Sequence, residues 1–138
     1  MAGQTARILP RTDYTMTNLT VPNGTTTVTI ARKLDTSMWR EGVVVARLHQ
    51  VTWPAGATIS LLLAPDGYTD EDPGQIWNFS TSTLLTFSQA GDTAPSAKNA
   101  EFPTPFGPLA QLQLKFTMAG NAGAFTPSLS VDLNLKGQ

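Results

Sequence analysis

The sequence predicts an all-β protein, a two-sheet antiparallel sandwich of jelly-roll or Greek-key type with about seven or eight strands. Three observations carry that expectation. Threonine is abundant, and 11 glycines and 10 prolines punctuate the 138 residues, a composition that suits strands separated by turns. Helical periodicity is absent, while several segments alternate apolar and polar residues with a period of two. Turn signals recur at regular spacing between those segments.

Taken in order, residues 1–24 lack a strong pattern and read as an N-terminal arm or an edge strand. A single sandwich domain follows over residues 25–138. The turn "PNG" at 22–24 opens "TTTVTIARK", where Val28 and Ile30 share one face against Thr27 and Thr29. In "EGVVVARLHQV", Val44, Ala46 and Leu48 face one way and Val45, Arg47 and His49 the other. "WPAGA" turns the chain into "TISLLLAP", and "IWNFSTSTLLTFS" gives one bent strand or two short ones. The tract from Gln89 to Pro108 is rich in Pro, Ala, Gly and Ser, and reads as a long connection, exposed or crossing between sheets.

The last two strands are the clearest. In "LAQLQLKFTM", Leu112, Leu114, Phe116 and Met118 form an inward set against Gln111, Gln113, Lys115 and Thr117. In "PSLSVDLNLK", Leu129, Val131, Leu133 and Leu135 face in, and Ser128, Ser130, Asp132, Asn134 and Lys136 face water. The Gly-rich "AGNAGAF" between them is read as a hairpin loop, so that these two strands pair antiparallel.

Composition bounds the chemistry. A mass of 14.7 kDa points to one domain that buries roughly two-thirds of its unfolded surface. Charged residues are 14% of the chain and the net charge is −1, so no general attraction to nucleic acid or to acidic membranes follows. With no cysteine, disulfides and thiolate metal sites are excluded, and intracellular synthesis is favoured. "MAGQTARILPRTDYTMTN" lacks the apolar run of a signal peptide, and no segment is long enough to span a bilayer.

The most chemically suggestive stretch is "APDGYTDEDPGQIW", residues 64–77, which gathers Asp66, Asp70, Glu71 and Asp72. Its spacing does not match an EF-hand, whose ligands fall at alternate positions around a central glycine. "PDG" and Pro73-Gly74 are turn signals, so the acids read as the solvated tip of a connection. A loose calcium site or a glycan contact at this loop stays open. A glycosidase pair would need a walled cleft that the sequence does not supply. His49 is the single histidine, with no cysteine or nucleophile elbow to serve, which leaves no catalytic, cofactor or metal residue to name. Trp39, Trp53, Trp77 and Tyr68 could build a sugar platform, but the tryptophans sit at strand ends, where they close a core or a subunit contact. The scattered basics, "ARK" at 31–33 with Arg40 and Arg47, carry no nucleic-acid motif.

One pattern points to assembly. "GVVVA" and "SLLLA" are apolar on both faces, whereas a two-layer sandwich exposes one face of each sheet. The second face therefore reads as covered by the arm, by the 89–108 tract or by another copy. The outward set Val45, Arg47 and His49 is the expected interface, because arginine makes bidentate contacts and valine fills a pocket.

The stretches "LDTSMWREGVVVARLHQ", "ISLLLAPDGYTDEDPGQIW" and "SLSVDLNLK" together resemble small β-sandwich structural proteins of tailed-phage and related virus-like particles. The resemblance covers about residues 34–138 and carries over no functional residue. It implies a non-enzymatic virion component, such as a capsid, decoration or head–tail protein, assembled in the host cytoplasm. Its partners would be copies of itself and other virion proteins, without cofactor, nucleic-acid contact or membrane. The alternative from the residues is a carbohydrate-binding, lectin-like sandwich.

Overall fold

The computed structural model describes residues 3–15, 24–35, 39–65, 81–101, 109–118 and 124–137. Its eight strands are β1 (Gly3–Asp13), β2 (Gly24–Asp35), β3 (Trp39–Thr52), β4 (Thr58–Pro65), β5 (Ser82–Ser88), β6 (Ser96–Glu101), β7 (Leu109–Met118) and β8 (Thr126–Gly137). They form two antiparallel four-stranded sheets. Sheet A has the order β1-β8-β3-β6 and sheet B the order β2-β7-β4-β5. The pairs β1–β8, β2–β7, β3–β6 and β4–β5 are nested about the β4–β5 connection. A chain folded double and wrapped in this way is a jelly roll.

The alternation explains the layers. Val44, Ala46 and Leu48 of β3 and Leu129, Val131 and Leu133 of β8 are buried from sheet A. Ile59, Leu61 and Leu63 of β4 and Leu112, Leu114, Phe116 and Met118 of β7 are buried from sheet B. One core results, and Val28, Ile30, Ile8 and Leu135 pack on its margin. Aromatic rings close one end. Phe116 lies 5.1 Å from Tyr14 and 6.0 Å from Phe125, and Trp53 stands 6.4 Å from Phe125. Trp53 therefore has the structural place expected of a strand-end tryptophan. The turn into β4 needs Gly56, whose φ of 76° accompanies a bond from the Ala57 N–H to the Pro54 carbonyl. A type II turn requires that positive φ.

Three expectations change. β7 and β8 do not pair; β7 lies between β2 and β4, and β8 between β1 and β3. Their apolar sides face each other across the core, and a period of two cannot tell a strand opposite from a strand alongside. The tract from Gln89 to Pro108 contains β6, which pairs with β3 from Val43–Glu101 to Leu48–Ser96. Its residues are small and polar, so an edge strand with one neighbour left no apolar signature. Finally, Ser128, Ser130 and Asp132 are 3%, 2% and 9% exposed instead of facing water, for the reason given below.

Neither β6 nor β1 lies over a sheet. Both flank one, so the outer sides of "GVVVA" and "SLLLA" have no further layer among the described residues, and Val43, Val45 and Leu62 are half-buried. β6 closes the sandwich against β5 through Lys98. Its Nζ donates to the Thr86 carbonyl at 2.7 Å and to Asp92 at 3.2 Å, and lies 5.4 Å from the Phe87 ring centroid.

The outward side of sheet B reads in three rows across β2, β7, β4 and β5. They are Thr25–Thr117–Thr58–Ser88, Thr27–Lys115–Ser60–Thr86 and Thr29–Gln113–Leu62–Thr83.

The core assignment has a direct check. Leu114→Ala and Val131→Ala should each cost roughly 2–4 kcal/mol in urea denaturation, through lost burial and an incompletely collapsed cavity. Gln113→Ala, on the outward side of β7, should cost well under about 1 kcal/mol. Equal losses at Leu114 and Gln113 would mean that the register of β7 is wrong.

Candidate functional site

The polar chemistry of the described residues concentrates on the outward side of sheet A. Pairing sets it out in rows: Thr5–Asn134–Val43–Glu101, then Arg7–Asp132–Val45–Asn99, then Ser130–Arg47–Ala97. β8 is central, and its outward side chains are short. The longer side chains of β1 and β3 lean over it from both flanks.

Each outward polar side chain of β8 from Ser128 to Asn134 thereby finds a partner. Thr5 Oγ1 donates to Asn134 Oδ1 at 2.7 Å, and Arg11 Nε donates to Ser128 Oγ at 3.1 Å. His49 Nε2 and Ser130 Oγ are 2.8 Å apart. Asp132 receives both flanks at once. Arg7 grips it through Nε at 2.8 Å and Nη2 at 3.2 Å, and Arg47 Nη1 donates at 2.8 Å. The two-pronged Arg7 contact is the strong geometry for a carboxylate. These contacts also account for the burial of Ser128, Ser130 and Asp132, because guanidinium stems cover the strand while their heads stay wet. The Asp132 side chain is 13% exposed, against 57% for Arg7 and 47% for Arg47. No buried side-chain nitrogen or oxygen among the described residues lacks a partner.

The Arg7 hydrogen bond, opposed by desolvation and joined by the charges of Arg7 and Arg47, holds the Asp132 carboxyl below the ordinary carboxylate range. Asp92 is also lowered. Burial pushes it up, but bonds from the Ser88 N–H and from Lys98 outweigh that.

The expected interface residues stand together on the outward side of β3. Val45 lies between Asp132 and Asn99, Arg47 is engaged with Asp132, and His49 with Ser130. Two open depressions meet at His49 and Pro95. One, of about 540 Å³, runs along Gln50, Val51 and Thr52 to Ala94 and Thr126. The other, of about 280 Å³, runs along Arg47, Leu48, Ser96 and Ala97. Sequence reasoning missed Arg7, because residues 1–24 showed no pattern, and Asp132, because alternation assigned it to solvent.

The serine–histidine pair on this face does not form a hydrolase triad. Ser130 and His49 are within hydrogen-bond reach, but Ser130 is 2% exposed, which leaves its hydroxyl out of reach of a substrate carbonyl. Asp132 is turned to arginines and does not orient His49 as a triad acid would. Among the described residues no group of three His, Cys, Asp or Glu side chains converges. The acidic loop 66–72, Tyr68 and Trp77 lie outside the described residues, as does the Trp39 side chain.

Asp132 makes this face pH-dependent. Its folded pKa lies below the unfolded value of about 3.9. Its contribution is therefore present above that value and is lost as pH falls through the folded pKa. Asp132→Asn should lower stability by on the order of 1–2 kcal/mol near neutral pH, and the gap to the wild type should close below about pH 3.9. Urea midpoints for both proteins between neutral and acid pH measure this; a gap that is constant with pH would remove Asp132 from its place in the ladder.

No protein-family model and no curated protein matches this sequence. Solved structures do match the fold. VP2 of infectious bursal disease virus, solved as a subviral particle, superposes with a TM-score of 0.52 at 14% identity, over 97% of this chain and 32% of that chain. T=1 particles derived from the same virus give 0.53 at 18% identity, over 97% of this chain and 31% of that one. The Gx strain of the virus gives 0.50 at 16% identity, over 97% and 32%. The chain thus spans about a third of the length of the structures it matches. At these identities the likeness is one of fold, and the chain shares the β-sandwich of a protein found in viral particles.

Proposed function

We propose that this chain is a non-enzymatic structural component of a virion or virus-like particle, of capsid, decoration or head–tail type, that works by binding copies of itself and other virion proteins. The observation that carries the reading is the two-sheet β fold, on which VP2 solved as a subviral particle superposes over 97% of the chain. The chemistry of the sheet A face agrees with it, since that face offers an arginine ladder and an apolar Val45 but no accessible nucleophile. The tailed-phage assignment and assembly in the host cytoplasm rest on the sequence resemblance over residues 34–138. The viral structures support a particle-type fold without pointing to a phage.

Within this reading, Val45, Arg47 and His49 form part of a subunit contact. Arg47 engages Asp132 through one nitrogen and remains 47% exposed, leaving donors for a partner. Val45 contributes the apolar centre, and the depressions at His49 and Pro95 give relief into which a neighbour can fit.

Light scattering on the purified chain should give a mass several times 14.7 kDa, and negative-stain electron microscopy should show rings or shells. Val45→Lys should dissociate the assembly with unchanged circular dichroism, because a lysine buried in a contact without a partner is costly. A wild type that stays monomeric at high concentration overturns the reading, and a monomer that binds on a glycan array replaces it with the lectin-like one.

A further inference from the structure

We propose that the arginine-lined part of the sheet A face takes the acidic segment 66–72 of a neighbouring copy, so that copies join head to tail. This rests on the self-assembly reading above and deepens it by naming what the Val45, Arg47 and His49 surface meets.

The argument begins with the charge along β8. At the Asn134 end of the face, the charged side chains described are Glu41 and Glu101, both exposed. From Asp132 toward Ser128 they are Arg7, Arg47 and Arg11, with Asp132 sheltered beneath the first two and Asp13 at the far margin. Three guanidinium groups thus share one sheltered carboxylate. Arg47 gives Asp132 a single nitrogen and Arg11 gives Ser128 its Nε, and a guanidinium carries five N–H donors. The Arg7 and Arg47 side chains are 57% and 47% exposed, so donors remain open to a partner. A carboxylate is the group that fits them best, since it can accept two N–H bonds from one arginine.

The chain carries a concentrated supply of carboxylates. Of its 10 acids, Asp66, Asp70, Glu71 and Asp72 fall within residues 66–72, which lie outside the described residues. Asp92 and Asp132, by contrast, are already paired within the fold. A long polyanion such as nucleic acid would also run across Glu41, Glu101 or Asp13, whereas a short acidic segment ends before them.

Chain reach selects a neighbouring copy over the same one. The segment leaves β4 at Pro65, whose partner Ala110 adjoins Leu109 and Asp35, at the end of the sandwich where β3 starts with Trp39. Arg47 is eight residues down β3 from Trp39, about 26 Å at the rise of a strand. Packed sheets stand about 10 Å apart, and Arg47 is on the far side of sheet A. Seven residues separate Pro65 from Asp72, and seven extended residues span at most about 25 Å. The acids of one copy therefore fall short of its own Arg47, and of Arg11 beyond it. Glu41 and Glu101 repel them from the nearer end of the face. Different surfaces on the two partners make a heterologous contact, which closes into rings or extends as an open array.

The test neutralises each side in turn. Asp70→Asn, Glu71→Gln and Asp72→Asn together change the segment, and Arg11→Gln with Arg47→Gln changes the face. Each variant should need at least about tenfold more protein for half-assembly by light scattering, with circular dichroism unchanged. Mixed together, the two variants should form a one-to-one complex, because one keeps the face and the other keeps the acids. If either variant misfolds, a fluorescently labelled peptide of residues 64–77 decides. It should bind dilute wild-type protein, lose affinity as salt is added, and fail to bind when its four acids are replaced by amides. A folded variant of either kind that assembles like the wild type overturns the contact, as does a mixed pair that stays apart or an acidic peptide that does not bind. In those cases, assembly broken by Val45→Lys leaves the self-assembly reading standing. A wild type that is monomeric at high concentration overturns both.

Discussion

Eight strands must fill one apolar layer from a single side each, and the rest of the structure depends on that constraint. Val44, Leu48, Leu129 and Leu133 enter the layer from sheet A, and Ile59, Leu61, Leu114 and Phe116 from sheet B. Each fully buried side chain of this size contributes about 1.5–3 kcal/mol. Once the inward sides are committed to the core, the outward sides are free to differ. They do: one is an ionic ladder and the other an array of hydroxyls and amides.

The ladder on sheet A shows how a central strand can bury polar groups on its outer side. β8 offers Ser128, Ser130 and Asp132, all too short to reach past their neighbours. Arg7, Arg11, Arg47 and His49 cross over them and supply the hydrogen-bond partners that burial demands. A carboxylate taken out of water without such partners would be costly. Here two half-exposed guanidinium groups share it, which keeps Asp132 ionised and ties β1 and β3 to the strand between them. The same contacts fasten the N-terminal strand, which otherwise has β8 as its single sheet neighbour.

The sheet edges bear on how copies could meet. An open edge invites a further strand, but the edges at β1, β2 and β6 are blunted, and β5 is irregular between Thr83 and Leu85. β6 is short and turns Lys98 inward onto Thr86 and Asp92. β1 carries Pro10 within its second register shift, between Leu9 and Thr12, and β2 is bulged on either side of Ala31. Strand addition is disfavoured at such edges.

By itself the sequence determined the class, the two layers and the inward side of β2, β3, β7 and β8, because a period of two is a local property that any reader of β7 or β3 can count. It also placed Val45, Arg47 and His49 side by side on one outward surface. Tertiary structure decided which strands are neighbours. β7 and β8 are successive in the chain and each alternates cleanly, yet they lie across the core from each other, since burial fixes the side a strand turns inward and says nothing of who supplies its backbone partners. β6 was silent because an edge strand of Ser, Ala and Asn needs no apolar signature to be held by β3. Asp132 was read as solvated because its partners, Arg7 and Arg47, stand 125 and 85 residues away in the chain. Only the fold brings those charges within hydrogen-bond reach, and the outer surface of the protein is made by such long-range meetings.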